Sequence, residues 1–291
     1  MADAPARWLV TGAGGQLGLS LLATARAVGI EAHGRDRASL DVADPEALAR
    51  ALDAVRPHVV VNAAAYTQVD LCETQVEQAE RVNARAPELL AQACRGRALL
   101  VHVSTDYVFG GEAVRPIPED APLAPRSRYG ESKAAGERAV RASGCEHLIV
   151  RTQWLYGEGR NFVRTILTAA ARGEPLRVVE DQLGRPTATA PLAAAILSAI
   201  ERRCRGTLHL ACEGLASKYD FARAIVREGA QRGLTKQVEV LACASEAFPR
   251  PAVRPAYAVL GLERARAAGL ALPHWTDALT AYLDEELERH A

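Results

Sequence analysis

The sequence has no Cys-x-x-Cys pair, no histidines at metal-ligand spacing, no apolar run of membrane-spanning length and no excess of charge of either sign. Each absence removes a class of protein. Six cysteines (Cys72, Cys94, Cys145, Cys204, Cys212, Cys243) stand singly, which argues against a zinc site and fits reduced thiols. The seven histidines read as ordinary polar residues, so chemistry at a bound metal is not expected. Thirty-five basic and thirty-five acidic residues cancel, so nothing points to nucleic acid or an anionic membrane surface as partner. A local basic pocket for a phosphorylated small molecule is compatible with that balance. The opening Met1-Ala2-Asp3-Ala4-Pro5-Ala6-Arg7 lacks the apolar stretch and cleavage site of a signal peptide, and the expectation is a soluble cytoplasmic protein. Gly-x-Ser-x-Gly, the nucleophile turn of α/β hydrolases, is missing as well.

What is present suits a large core: 291 residues, 49% of them hydrophobic, make one big domain or a large and a small one. Arg7 to Thr11 reads as a buried strand, followed at once by Gly12-Ala13-Gly14-Gly15-Gln16-Leu17-Gly18 and a helical pattern to Val28. Glycines 12, 15 and 18 allow a tight turn, backbone approach to a pyrophosphate and close packing of helix on strand, with the phosphates at the helix N-terminus. The alternation continues. Strands are expected at Glu31 to Arg35, His58 to Ala65, Ala98 to Ser104 and Glu146 to Thr152, with helices at Pro45 to Val55, Thr74 to Cys94 and Ser132 to Ala142. This pattern predicts an α/β, doubly wound parallel sheet of the Rossmann type, whose ligands bind outside the carboxyl ends of the strands.

After Thr152 the pattern is less regular. Residues 1–152 are therefore expected to form a dinucleotide-binding domain and residues 153–291 mainly a smaller substrate lobe, with segments near 188–211 returning to the first domain. A cleft between the two is the natural place for a substrate.

Tyr129-Gly130-Glu131-Ser132-Lys133 carries the chemistry this fold can use. Tyrosine and lysine four residues apart share one side of a helix. A fixed cation near a phenol favours phenolate and brings the group closer to proton exchange with a substrate oxygen. On the upstream Ser104-Thr105-Asp106-Tyr107, strand alternation points Ser104 and Thr105 to opposite faces, and Thr105 is the expected hydroxyl.

Taken together, the glycine fingerprint, Asn62-Ala63-Ala64-Ala65-Tyr66-Thr67 with Val69-Asp70 and Glu73, Ser104 to Phe109, and Tyr129-Gly130-x-x-Lys133 resemble the extended short-chain dehydrogenase/reductases. Arg151-Thr152-x-Trp154-x-Tyr156-Gly157, Asn161-Phe162-Val163 and Asp181-Gln182-x-Gly184-x-Pro186-Thr187 narrow the resemblance to the dTDP-4-dehydrorhamnose reductases, which reduce the 4-keto group of a deoxythymidine diphosphate sugar. These motifs span nearly the whole chain.

The resemblance implies a catalytic set of Thr105, Tyr129 and Lys133. Tyr129 would protonate the C4 oxygen as hydride arrives, Lys133 would lower the phenol pKa and hold the nicotinamide ribose, and Thr105 would bond the ketone oxygen. Cofactor contacts fall at Gly12, Gly14, Gly15, Gln16, Leu17, Arg35, Asp36, Arg37, Asp41, Val42, Ala63, Ala64, Ala65 and Tyr66, besides Tyr129 and Lys133. Val69, Thr105, Asp106, Tyr107, Tyr129 and Trp154 would meet the sugar, and Asn161, Gln182 and Arg254 the nucleotide diphosphate. In Gly34-Arg35-Asp36-Arg37 two arginines outnumber one acid, so NADPH is the preferred cofactor, with some use of NADH.

Two departures from the family pattern stand out. Where relatives often read Arg-Pro-x-x-Ser-x-Leu-Asp, this chain has Arg254 to Gly261, and Gly261 stands where a helix from Leu262 would want a cap. Gly261→Asp is therefore expected to add a few tenths of a kcal/mol. Ser20 replaces a glutamate that some relatives use for a magnesium contact between subunits, so metal-dependent dimerisation is not expected, and the sequence leaves a homodimer open. Two other readings share the fold: an NADP-binding regulatory subunit of the methionine adenosyltransferase type, and a sugar-nucleotide epimerase or dehydratase. Intact Thr105, Tyr129 and Lys133 favour the reductase over the first. Tyr107 after Asp106 leaves the dehydratase acid pair incomplete.

Overall fold

The computed structural model describes residues 6–290, so Met1 to Pro5, on which part of the leader argument rests, lie outside the described residues. Six parallel strands, β1 (Arg7–Thr11), β2 (Glu31–Arg35), β3 (Val59–Asn62), β4 (Leu99–Thr105), β5 (His147–Thr152) and β6 (Gly206–His209), form one sheet in the order β6-β5-β4-β3-β1-β2. The inner strands β1, β3, β4 and β5 are largely apolar without alternation because both faces are covered, whereas the edge strand β2 is polar and partly exposed. Trp8 and Val10 of β1 point into one core, with Val61, Val101 and Val150, while Leu9 points into the other, with Val60, Leu100 and Ile149.

The helices that supply the covers are α1 (Gln16–Ala27), α2 (Pro45–Val55), α3 (Ala86–Cys94), α4 (Arg128–Ala142), α5 (Phe162–Ala170), α6 (Thr189–Glu201), α7 (Lys218–Gln231) and α8 (Trp275–His290). Helix α2 illustrates how locally they are specified. Asp44 accepts from the amides of Glu46 and Ala47, Pro45 fills a first-turn position whose amide needs no partner, and Leu48, Leu52 and Val55 make the buried stripe.

Strand order reverses at β1, which has β2 on one side and β3 on the other. The crevice beyond the carboxyl ends of β1 and β3 is thus the switch point at which doubly wound sheets bind ligands. Segments from the second half return to this body: α6 packs on α1, and β6 pairs with β5. The remainder builds small two-stranded units, among them Leu183–Gly184 with Ala216–Ser217 and Leu176–Val179 with Val240–Cys243. No helix among the described residues is long and apolar enough to cross a membrane.

Three expectations need correction. The long helix from Thr74 to Cys94 is instead Val76–Glu80, a π-helical segment Arg81–Arg85 and then α3. Pro87 cannot donate the amide that an α-helix would direct at the Asn83 carbonyl, and the π segment widens the turn there. Helix α4 begins at Arg128, four residues before the expected start, because Ser127 caps it by accepting from the Gly130 amide at 3.2 Å. Gly261 is buried rather than a free cap: its amide donates to the Ile117 carbonyl at 2.8 Å, and its carbonyl accepts from His209 at 3.1 Å. A Cβ there would lie 2.7 Å from the Glu263 carboxylate and 3.0 Å from the Ile117 oxygen, so Gly261→Asp sets a carboxylate against two oxygens and destabilises the fold.

Candidate active site

A cleft of about 600 Å³ opens over the switch point. Gly12 sits at its floor with φ +69°, and a Cβ there would come within 2.6 Å of the Ala64 amide nitrogen, so only glycine lets the first loop lie on the third. At the mouth of α1 the N-cap is Gly15, without a side-chain cap bond and without an acid in the first turn. The first backbone amides of a twelve-residue helix are thus left for an outside partner, which fits a dinucleotide pyrophosphate.

Of the residues assigned to a cofactor, Gly12, Gly14, Gly15, Asp36, Arg37, Asp41, Val42 and Ala63 to Tyr66 line this cleft. Gln16, Leu17, Arg35, Tyr129 and Lys133 are not among its lining. Gln16 donates to the Arg160 carbonyl at 3.1 Å, Leu17 is in the core, and Arg35 donates to the Gly34 carbonyl at 3.0 Å. The structure adds Ala38, Leu40, Gln78, Arg81 and Val82, which no sequence motif marks. Arg81 forms an ion pair with Asp41 across the cleft, both side chains about half exposed. Asp36 is exposed, and its carboxylate accepts from the amide and hydroxyl of Ser39, which hold it below the usual carboxylate range.

Beyond the cleft, Tyr66, Val69 and Tyr107 pack against a buried group of Cys72, Ala79 and Tyr129. Tyr129 meets Tyr107 edge to face, with ring centres 5.3 Å apart. β4 ends at Thr105, whose hydroxyl donates to the Asp106 carboxylate at 2.9 Å and accepts from the Tyr107 amide at 3.2 Å. Burial raises the Tyr129 phenol well above its ordinary pKa, and polar contact with the Thr105 hydroxyl only partly offsets this. Lys133 was expected to lower that pKa. In the chain itself its ammonium instead donates to the Val103 carbonyl at 2.7 Å, and burial brings it down to about 8 against the opposing charge of Glu137. The dry pocket explains both shifts, since desolvation disfavours the charged form of each group.

Glu137, one turn beyond Lys133, belongs to a buried ion pair. Arg151 on β5 grips both its carboxylate oxygens at 2.9 and 2.8 Å, and Arg141 adds a third bond at 2.7 Å. Burial alone would raise this carboxyl, but the bonds and charge of Arg151 prevail and hold it well below the carboxylate range. The pair thereby anchors α4, and with it Tyr129 and Lys133, to the sheet.

On the other side of Thr105, Asp106 is almost fully buried, and desolvation pushes its carboxyl up to about 6 against bonds from Thr105 and Gln153 and the charge of Lys218. Trp154 is half-buried with φ +48°, a left-handed backbone that a tryptophan adopts at a cost. Lys218 rests on its ring, Nζ 3.5 Å from the centre. Sequence reading missed Gln153 and Lys218, for neither residue type in isolation signals a pocket.

The three residues assigned to the nucleotide are committed within the protein. Asn161 caps α5, accepting from the Arg164 amide at 3.0 Å and donating to the Gly157 and Gly159 carbonyls and the Tyr282 hydroxyl. Its amide is saturated, so the expected phosphate contact has no free donor. Gln182 donates to Ser245 at 3.0 Å. Arg254 is bidentate to Asp70 at 2.8 and 2.9 Å, tying the C-terminal loop to the segment after β3. Among the described residues no three His, Cys, Asp or Glu side chains gather as metal ligands.

Comparison with known proteins agrees with this architecture. The chain is 46% identical over 282 residues, 94% of its own length and 93% of the relative's, to a probable dTDP-4,6-dihydroxy-2-methyloxan-3-one 4-ketoreductase of Streptomyces antibioticus. A solved dTDP-4-dehydrorhamnose reductase of Clostridium acetobutylicum superposes with a TM-score of 0.92 at 40% identity, covering 96% of this chain and 99% of the other. The corresponding reductase of Bacillus anthracis, solved in complex with NADP, gives 0.91 at 34% identity, covering 97% and 100%. The RmlD substrate binding domain model matches residues 6–288, and the chain belongs to that family.

Proposed function

We propose that this protein is a cytoplasmic NADPH-dependent reductase of the 4-keto group of a dTDP-4-dehydro-6-deoxy sugar, with dTDP-4-dehydro-L-rhamnose as substrate. The carrying observation is the Thr105 hydroxyl set against the buried Tyr129 phenol at the carboxyl end of β4, with Lys133 one helical turn further on. The three relatives reported above are named as reductases of dTDP-linked keto sugars, which supports the substrate class, and the NADP in the Bacillus anthracis structure supports the cofactor.

When bound, the nicotinamide supplies hydride to C4. The residues do the rest. Tyr129 keeps its proton until the ketone oxygen gains charge, then gives it up to form the C4 hydroxyl. Thr105 turns its hydroxyl proton from Asp106 to hold that oxygen in place; one such donor typically contributes ~10²-fold or more in rate. Lys133 has one ammonium proton spent on Val103 and two left for ribose hydroxyls. In this reading the exposed Arg37 and the Arg81 paired with Asp41, both on the cleft wall, are the groups offered to an adenosine 2′-phosphate. The amides at the mouth of α1 take the pyrophosphate. Residues up to 152 form the cofactor half in this reading, and the later residues, apart from the segments near 188–211, form the substrate lobe.

The test is to mix protein, NADPH and dTDP-4-dehydro-L-rhamnose and follow loss of nicotinamide absorbance. Turnover is expected, with NADPH preferred over NADH. Tight NADPH binding without turnover of any dTDP keto sugar would overturn the reading in favour of a regulatory subunit.

A further inference from the structure

Lys218 is the first residue of α7, placed by the reciprocal cap of Ser217 and Asp220 and by its own amide, which donates to the Gln182 carbonyl at 3.2 Å. Its side chain lies along two rings, Nζ 3.5 Å from the centre of Trp154 and 4.9 Å from that of Phe162. The Trp154 plate is itself fixed. A Cβ on Gly184 would lie 2.5 Å from indole Cε2, so the ring lies directly on that glycine. A cation is therefore held in a defined place against a rigid aromatic wall, yet it donates no hydrogen bond among the described residues.

The two ring faces favour the charge, but its place in the fold works against it. The ammonium sits at the positive end of a fourteen-residue helix. The charged groups that face it are Asp106 from the end of β4 and Arg254 from the C-terminal loop, and burial, helped by Arg254, brings it down to about 7. An apolar side chain would cover Trp154 without that cost. Three unspent donors beside the acid that Thr105 bonds at 2.9 Å call for a ligand.

We propose that Lys218 is a specificity-determining residue of the sugar pocket, donating to the hydroxyl next to the reacting carbonyl while Asp106 stands ready to accept from it. This rests on the reductase reading above. The pairing of a donor with an acceptor chooses the ligand: a hydroxyl is both, whereas a phosphate brought to Lys218 would also face the Asp106 carboxylate. The position agrees, since Asp106 is the residue next to Thr105 and so lies at the reacting end of the substrate.

The experiment compares the intact protein with Lys218→Met and Lys218→Arg, using dTDP-4-dehydro-L-rhamnose, its 3-deoxy analogue, and dTDP as a competitive inhibitor. For Lys218→Met, KM for the keto sugar nucleotide is expected to rise about tenfold or more, the size of a lost hydrogen bond from a charged donor. NADPH affinity and inhibition by dTDP should stay within about twofold, less than any such bond contributes. The parent enzyme's preference for the hydroxylated substrate over the 3-deoxy analogue should collapse, and Lys218→Arg should restore part of it. An unchanged or lowered KM overturns the proposal, as does an equal loss of affinity for dTDP, which would put the contact on the diphosphate. Absence of turnover by the unsubstituted protein on any dTDP keto sugar would instead sink the reductase reading, and this proposal with it.

Discussion

The site has two ends, the buried group beyond the cleft and the cleft itself, and they are built on opposite principles. At the inner end Thr105, Tyr129 and Lys133 are all buried, and desolvation shifts the phenol up and the ammonium down to about 8. At the outer end Asp36 and Arg37 are exposed, and Asp41 and Arg81 pair with one another half in water. Burial makes the inner end strong and intolerant, because each charge there acts in a low dielectric and has few partners. The outer end is a contest among solvated charges, each of which contributes little.

The comparison can be broken from the inside first. Tyr129→Phe should lower kcat by ~10²-fold or more with NADPH affinity nearly intact, since the hydroxyl acts in the transition state. Lys133→Ala should damage both. Near-normal turnover of Tyr129→Phe would remove the tyrosine from the chemistry.

Next comes the support beneath it. Glu137→Gln leaves Arg151 buried without its counter-charge and should cost about 3–5 kcal/mol in denaturant unfolding. The sign with pH follows from a carboxyl held below its unfolded value of 4.5. Its stabilisation is complete above that value and is lost as pH falls through it toward the folded pKa. The gap between parent and variant should therefore narrow in acid; a gap that widened there would mean that Glu137 is not stabilised as an anion.

The outer end should give the smallest effects. Arg37→Ala is expected to weaken NADPH about tenfold, the low end for a charged hydrogen bond at an exposed site, and to leave NADH almost unchanged. Arg35→Ala, turned to the Gly34 carbonyl, should weaken neither by more than about twofold. Equal losses of both cofactors in titrations of Arg37→Ala would place that residue outside the 2′-phosphate site.

The same contrast explains what the sequence could tell. The parallel sheet was legible because burial on both faces writes unbroken apolar runs such as Val59-Val60-Val61, and glycine between strand and helix has a strict steric reason at Gly12. Tyr129 and Lys133 were singled out by helical spacing together with the upstream motifs and the family resemblance. The electrostatics were not, since spacing says nothing of how deep a pair lies, and the phenol shifted opposite to expectation. Lys218, Gln153 and Arg81 reach the site from elements distant in sequence, so no local pattern marks them. The Gly261 cap failed for a related reason, and Asn161 has its side chain bonded within the protein. A residue's free valence depends on what tertiary structure has already bonded to it.

The π segment at Arg81–Arg85 has a consequence for how the chain tolerates change in length. Asn83, fully buried within it, accepts from the Tyr66 amide at 2.8 Å and donates to the Tyr66 carbonyl at 3.0 Å and to Ser132 at 3.1 Å. The wide turn thus stores one surplus residue, and the surplus clamps a loop of the cleft to the helix of Tyr129. Excising a single residue there would remove that surplus, although Pro87 would still deny the segment an unbroken α-helical ladder. It would also rotate Asn83 by about a hundred degrees and release the clamp. At this place one residue fewer loosens the cleft rather than the sheet beneath it.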